Sequence, residues 1–371
     1  MQPLISLPMA KPVPKGAGEF RLPSAEQFFV LDTMTTPVGA VPVVGEELLW
    51  RDLRGHYLAR WNIGRDRFLV DPGLYAIGKP DSSRPVFVTA NYKMTFDLLR
   101  RTLGGYDGWI LVLDTKGINV WCAAGEGTFG TEELVDRIHA SRLHEVVSHR
   151  RLIVPQLGAT GVAAFKVKKY SGFSVNYGPV MLCDLPQYLE NGNRTTPEMR
   201  LKRFPFKERL VLVPVDIMLA LKQGLPVIFA LLLLAGFAGD GTFLQAMFHH
   251  ALPPALAVLS GIIAGAIVTP LLLPWIPGRA FSFKGAISGL FLFSLLFTLY
   301  GVFTQDYSLL AKVSWPLIAL AISSWFGMAF TGASTYTSLN GVRKEMLRAM
   351  PLQFVILVTG LGLWTASLWM G

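Results

Sequence analysis

Cysteine is almost missing from this chain: Cys122 and Cys183 are the only two among 371 residues, far apart and in no CxxC spacing. An iron-sulfur cluster needs about four cysteine ligands, so this chain holds none, and any electrons it uses come from a partner. With no secretory leader in view, so few thiols predict a reducing compartment. A basic-aromatic nucleic-acid module is also missing. The formal charge of +9 therefore points away from nucleic acid and toward the Lys and Arg that membrane proteins collect on their cytoplasmic loops.

Charge itself is scarce beyond about residue 210, where long apolar runs take over. The 51% hydrophobic content and mean hydropathy of +0.42 exceed those of a soluble enzyme because of this half. Five segments, about 224–239, 251–275, 284–303, 314–335 and 351–370, approach or reach the ~20 residues needed to cross a ~30 Å hydrocarbon layer. They contain almost no ionisable side chains, so an ion or substrate path is not indicated and an anchoring platform is. Prolines at 253, 254, 270, 274 and 277 are expected to break the second segment, and the Gly261 to Gly265 spacing favours close helix packing. Arg279, Arg343, Lys344 and Arg348 sit on two loops, and the alternate loops are nearly free of cations. The positive-inside rule then puts the N-terminal domain in the cytoplasm and the C-terminus outside, in an inner membrane. Arg200, Lys202, Arg203, Lys207 and Arg209 form a basic juxtamembrane cluster ahead of the first segment.

The first half carries an α/β pattern. Residues 1–45 are rich in Pro, Gly and Lys and read as an extended arm; residues 50–78 read as edge strands or a packed loop. Pro85–Ala90, Trp109–Asp114 and Leu152–Val154 are short apolar runs of the buried-strand type. Helical spacing predicts helices from Lys93 to Leu103, stopped by Gly104-Gly105, and from Thr131, whose hydroxyl is placed to cap it. Such alternation predicts a parallel, Rossmann-like sheet with ligands beyond the carboxyl ends of its strands. The predicted organisation is an arm (1–45), an α/β domain (46–200), a basic juxtamembrane segment (201–222) and an all-α membrane domain of five transmembrane helices (223–371).

Two small-residue loops, 119–130 and 156–161, fall at that edge. Gly125-Glu126-Gly127-Thr128-Phe129-Gly130 matches the G-x-G-x-x-G pattern of dinucleotide sites. That fingerprint also wants an acidic residue at the end of the next strand, where this chain has Pro155-Gln156. The alternative centres on Cys122: a metal-binding thiol must become a thiolate, which a helix N-terminus or the metal achieves. Ala123, Ala124 and Gly125 leave room for a flat macrocycle over it, and Trp121 can shield one side.

Asn119-Val120-Trp121-Cys122-Ala123-Ala124-Gly125, followed by Gly127-Thr128-Phe129-Gly130-Thr131, closely resembles the cap-helix motif of the corrinoid proteins of microbial mercury methylation, the HgcA family. Asp71–Gly78, Val88–Lys93 and Pro155–Ala159 are similar both to that family and to the large subunit of the corrinoid iron-sulfur protein of acetyl-CoA synthesis. The lack of cluster cysteines and the five apolar segments favour the mercury-methylation layout of these anaerobes. The resemblance implies a base-off cobalamin with Cys122 as lower cobalt ligand and catalytic residue. It implies a cofactor contact set of Asn119, Val120, Trp121, Cys122, Ala123, Ala124, Gly125, Gly127, Thr128 and Gly130, with Gln156, Gly158, Ala159 and Gly161 receiving the nucleotide tail. It further implies a ferredoxin-like reductant, a folate-type methyl donor or its methyltransferase, and transfer of methyl from methyl-cobalt to Hg(II), thiolate donation favouring release of methyl with electron density. Position 126 departs from the family: the motif usually continues with Lys, and here it is Glu. That leaves a corrinoid methyl carrier for another acceptor as one alternative, and a membrane transport or metal-binding protein with a nucleotide-sensing domain as another.

Overall fold

The computed structural model describes residues 20–238, 242–299, 307–334, 337 and 339–370. The chain divides into two compact units, Met1–Ala59 with Ile63–Lys202, and Arg60–Asn62 with Arg203–Gly371.

The first unit is a seven-stranded mixed sheet with helices on both faces. In chain order it contains β1 (Val30–Thr36), β2 (Gly39–Val44), α1 (Trp50–Arg60), β3 (Gly73–Ile77), β4 (Val86–Ala90), α2 (Lys93–Thr102) and β5 (Gly108–Leu113). Then come α3 (Val120–Glu126), α4 (Thr131–Ala140), α5 (Leu143–Val146), β6 (Arg151–Val154), α6 (Ala164–Ser171), β7 (Ser174–Tyr177) and α7 (Leu185–Glu190). The sheet order is β1-β2-β3-β5-β4-β6-β7. β5, β4, β6 and β7 run parallel, as the alternation predicts. β3 is antiparallel to β5, however, and β1 pairs antiparallel with β2. The lead-in read as an arm to residue 45 thus supplies two strands; its first nineteen residues lie outside the described ones.

Every residue of β3, β4 and β5 is buried. Apolar cover on both faces is what a parallel sheet needs, and alternate side chains of each strand feed opposite cores. Val86, Val88 and Ala90 join Ala123, Leu134 and Val167 on one face, while Phe87 joins Phe96, Leu99 and Tyr188 on the other. Strand β5 lies on one side of β4 and β6 on the other, so consecutive connections diverge at β4. The carboxyl ends of β4 and β6 therefore border a switch-point crevice, where ligands of such folds sit.

Residues 50–60 are helical rather than strand or loop. The helix is held by ions instead of an apolar stripe: Asp52 and His56 are buried against Lys93, Asp97 and Arg100 of α2. Lys93 Nζ donates to both Asp52 and Asp97, Arg100 donates to both carboxylates at 2.8 Å, and His56 meets Asp97 at 2.9 Å.

The second unit is helical: α8 (Phe206–Gly236), α9 (Phe243–Ile263), a π-helical turn over Ala264–Val268, α10 (Thr269–Leu272), α11 (Phe281–Leu299), α12 (Leu309–Ala329) and α13 (Leu339–Met370). Among the described residues, five helices, with α9 and α10 counted as one, are long and apolar enough to cross a membrane. Helix α8 begins at Phe206, so Lys207 and Arg209 lie in its first turn. The prolines of the second segment do not break it before residue 272. Pro253 and Pro254 lie inside α9, and the π turn widens the helix ahead of Pro270 while Thr269 Oγ1 donates to the Ala264 carbonyl at 2.8 Å. Gly261 and Gly265 press on α12: a Cβ on Gly265 would stand 2.7 Å from the Ser323 carbonyl oxygen.

Candidate functional site

The stretch 119–130 is not a loop. Residues Val120–Glu126 form α3, and Asn119 is its cap, Oδ1 accepting from the Cys122 backbone N–H at 3.0 Å. A capping Asn followed by a short alanine-rich turn was the available sequence signal. The helix ends at Gly127, whose φ of +91° is a left-handed conformation natural to glycine. Seven residues at 3.6 per turn give two faces. Val120, Ala123 and Ala124 are buried in the core beneath, whereas Trp121, Gly125 and Glu126 are exposed and Cys122 is half-buried. A Cβ on Gly125 would meet nothing within 4 Å. Cys122, Gly125 and Glu126, at positions i, i+3 and i+4, thus share one open patch.

The turn over Gln156–Gly158 and the following residues support this patch from below. A Cβ on Gly158 would enter the Phe129 ring at 2.4 Å, and one on Gly161 would lie 2.2 Å from the Phe129 carbonyl oxygen and 3.1 Å from Ala124 Cα. Thr131 is the first residue of α4, not its cap, because Gly130 occupies the cap position. Its N–H donates to the Gly161 carbonyl at 3.1 Å, and its hydroxyl accepts from Ala163 N at 2.8 Å. The structure therefore joins the two predicted loops. Val120, Ala123, Ala124, Phe129, Gly130 and Gly158 form the buried support, while Thr128, Gln156, Ala159 and Gly161 are half-buried. Gln156 Oε1 is buried and without a hydrogen-bond partner.

Two contributors escape residue-type reasoning. Buried Asn91, at the end of β4, builds the approach to α3: its Oδ1 accepts from Thr115 N at 3.1 Å, Thr115 Oγ1 at 2.9 Å and Gly117 N at 3.0 Å. Arg65 lies over the Tyr92 ring at 5.1 Å, and its charge acts on Cys122. Nothing in the Arg-rich text of 50–78 distinguishes Arg65 from its neighbours.

The thiol of Cys122 is not lowered by its place in the first helical turn. Burial pushes it up most, a side-chain hydrogen bond with Asn119 pulls it down, Glu126 pushes it up and Arg65 pulls it down; the balance is upward. Cys183 is exposed, far along the chain at Leu182–Asp184, and no part of this patch. Among the described residues no group of three or more His, Cys, Asp or Glu side chains could hold a bare metal ion.

Residues 64–180 match the family model of the CO dehydrogenase/acetyl-CoA synthase delta subunit. That interval contains the whole patch and its support. The α/β unit is related to this family. Among curated relatives, the acetyl-CoA decarbonylase/synthase complex subunit gamma of Archaeoglobus fulgidus is 32% identical over 146 residues, 37% of this chain and 31% of the relative. The same subunit of Methanopyrus kandleri is 34% identical over 123 residues, 33% of this chain and 26% of the relative. That of Methanocaldococcus jannaschii is 35% identical over 96 residues, 24% of this chain and 19% of the relative. This chain thus spans less than a third of the length of these relatives, and the relation to the family concerns the α/β unit.

Proposed function

We propose that the α/β unit holds a base-off cobalamin with Cys122 as the lower cobalt ligand, and that the chain is a corrinoid-dependent methyltransferase forming methylmercury from Hg(II). The observation that carries the reading is the half-buried Cys122 on the open face of α3, one turn from an unobstructed Gly125 at the switch-point edge. A thiolate can reach the centre of a flat macrocycle only if the backbone beside it is nearly bare. Trp121, exposed next to it, is placed to cover an edge of the ring. The unpartnered Gln156 Oε1 fits a donor on the nucleotide tail, since a buried acceptor left unpaired is costly.

The bound corrinoid would supply a nucleophilic cobalt centre, able to accept methyl from a folate-type donor and release it to a soft electrophile. The chain's own part is to present one sulfur. Burial and Glu126 push that thiol upward in the free protein, so a bound cobalt would itself have to favour the thiolate that ligates it. Asn119 holds the first turn of α3 so that Cys122 stays aimed outward. Because the chain has only two cysteines, electrons for the cobalt would come from a ferredoxin-like iron-sulfur partner. The apolar helices would anchor the unit in the inner membrane with the cofactor domain (46–200) cytoplasmic and the C-terminus outside.

The test is visible spectroscopy of purified protein loaded with cobalamin, wild type against Cys122→Ala, beside methylmercury production in a host that makes none on its own. A cobalt-thiolate band lost in the variant, together with methylmercury that requires Cys122, is the expected result. Corrinoid binding without methylmercury selects the second reading, a methyl carrier for another acceptor, which the exposed Glu126 beside Cys122 favours. A chain that binds no corrinoid overturns both.

A further inference from the structure

The helical unit carries an open pocket of about 1340 Å³, with Lys344 and Arg348 exposed at its rim, that the proposed methyl transfer does not use. Residues 273–274 and 278–280, the start of α11 and the first half of α13 contribute to its wall. Its lining divides by chemistry. Phe283, Leu320, Leu352 and Ile356 are apolar, and Arg279, Lys344 and Arg348 are cationic. Lys284 also lines it, but its ammonium already donates to the Leu273 and Ile276 carbonyls at 2.6 Å each. Glu345, the acid in the lining, accepts from Ser282 N at 2.6 Å. None of the three cations forms an ion pair with a carboxylate among the described residues.

Lys344 and Arg348 are four apart on α13, the spacing at which like charges repel across one helical turn. An anion between them relieves that repulsion. Gln353, five residues beyond Arg348 on the same helix, is buried; its Nε2 donates to Ser324 Oγ at 2.8 Å, while its Oε1 is buried without a partner. Membrane topology accounts for Lys and Arg at these helix ends. It does not account for three of them lining one cavity together with an unsatisfied buried acceptor and an apolar wall.

We propose that this cavity binds an anionic phospholipid with a hydroxyl-bearing headgroup. The phosphate lies among Arg279, Lys344 and Arg348, the headgroup hydroxyl donates to Gln353 Oε1, and an acyl chain follows Phe283 and Leu352. Basic pockets between membrane helices hold such headgroups by the same combination of charge and burial. The inference rests on membrane insertion of the helices and is independent of the cofactor reading.

The full chain in detergent, stripped of lipid, is titrated with phosphatidylglycerol and phosphatidylcholine of equal chain length, and bound lipid is counted by native mass spectrometry. Phosphatidylglycerol is expected to bind about tenfold more tightly or better. The double variant Lys344→Gln/Arg348→Gln loses that preference, whereas Lys344→Arg/Arg348→Lys retains it; helicity by circular dichroism checks that both fold. Gln353→Leu weakens phosphatidylglycerol but not phosphatidic acid, which lacks the headgroup hydroxyl. Equal affinity for the two lipids, or a preference that survives the double variant, overturns the proposal. Complete displacement of lipid by millimolar inorganic phosphate also overturns it, leaving a plain anion site.

Discussion

Glu126 stands one helical turn beyond Cys122 on the exposed face of α3, and its carboxylate pushes the thiol in the same direction as burial does. The pair makes the free protein's cysteine a reluctant nucleophile. Glu126→Lys replaces an anion by a cation at that distance, so the Cys122 pKa falls and the thiolate fraction at neutral pH rises. The check is the pH dependence of alkylation, with Glu126→Gln between the two. An alkylation profile that does not move with the charge at 126 contradicts the coupling.

Glycines 125 and 161 lie on opposite sides of the patch and respond oppositely to the same change. Gly161→Ala forces a Cβ against the Phe129 carbonyl and Ala124; it should destabilise by about 1–3 kcal/mol, read as a lowered unfolding midpoint. Gly125→Ala meets nothing and should leave stability unchanged or raise it by up to ~1 kcal/mol through helix propensity. Its effect belongs to the bound state: cobalamin uptake should fall while the unliganded protein stays folded.

Removing the unpaired acceptor at Gln156 separates stability from binding in the same way. Gln156→Leu deletes a buried polar atom that has no partner, so the unliganded protein should lose nothing and gain up to ~1 kcal/mol. Corrinoid affinity should weaken several-fold, measured by titration at the visible band. A variant that binds as well as wild type would show that Gln156 takes no part in the site.

The buried ions between α1 and α2 predict an acid response. Burial alone would raise the Asp97 carboxyl, but His56, Lys93 and Arg100 outweigh it and hold it below its usual range. A carboxyl depressed in the folded state stabilises the fold above its unfolded value of about 3.9. That stability drains away as pH falls through the folded value. Unfolding midpoints of the full chain should therefore drop below about pH 4, and Asp97→Asn should flatten that part of the curve. At neutral pH the variant should cost about 3–5 kcal/mol, because Lys93 and Arg100 lose a buried counterion.

Strands β4, β5 and β6 and helix α2 stand where hydrophobic period places them, because burial on both sides leaves continuous apolar runs and a core face leaves a helical stripe. Helix α1 was illegible for the opposite reason. Its buried positions include Asp52 and His56, which only make sense once α2 supplies their partners. Cys122 was visible as a site candidate from residue type, and the loops holding Gly125 and Gln156 from their place after β5 and β6, whereas Gln156 itself was named only through the family resemblance. Their division into an open face and a buried support was not visible, since a seven-residue helix with two alanines and a glycine carries no clear period. Arg65 acts through space on a residue far along the chain, which no local pattern records.

The bonds that tie Thr131 to Gly161 and Ala163 also set an order of assembly. A helix as short as α3 has no stability of its own in water, and its floor comes from residues that follow β6. The patch can form only after β6 has been laid beside β4, so a nascent chain cut before residue 161 would carry the cysteine without the platform that presents it.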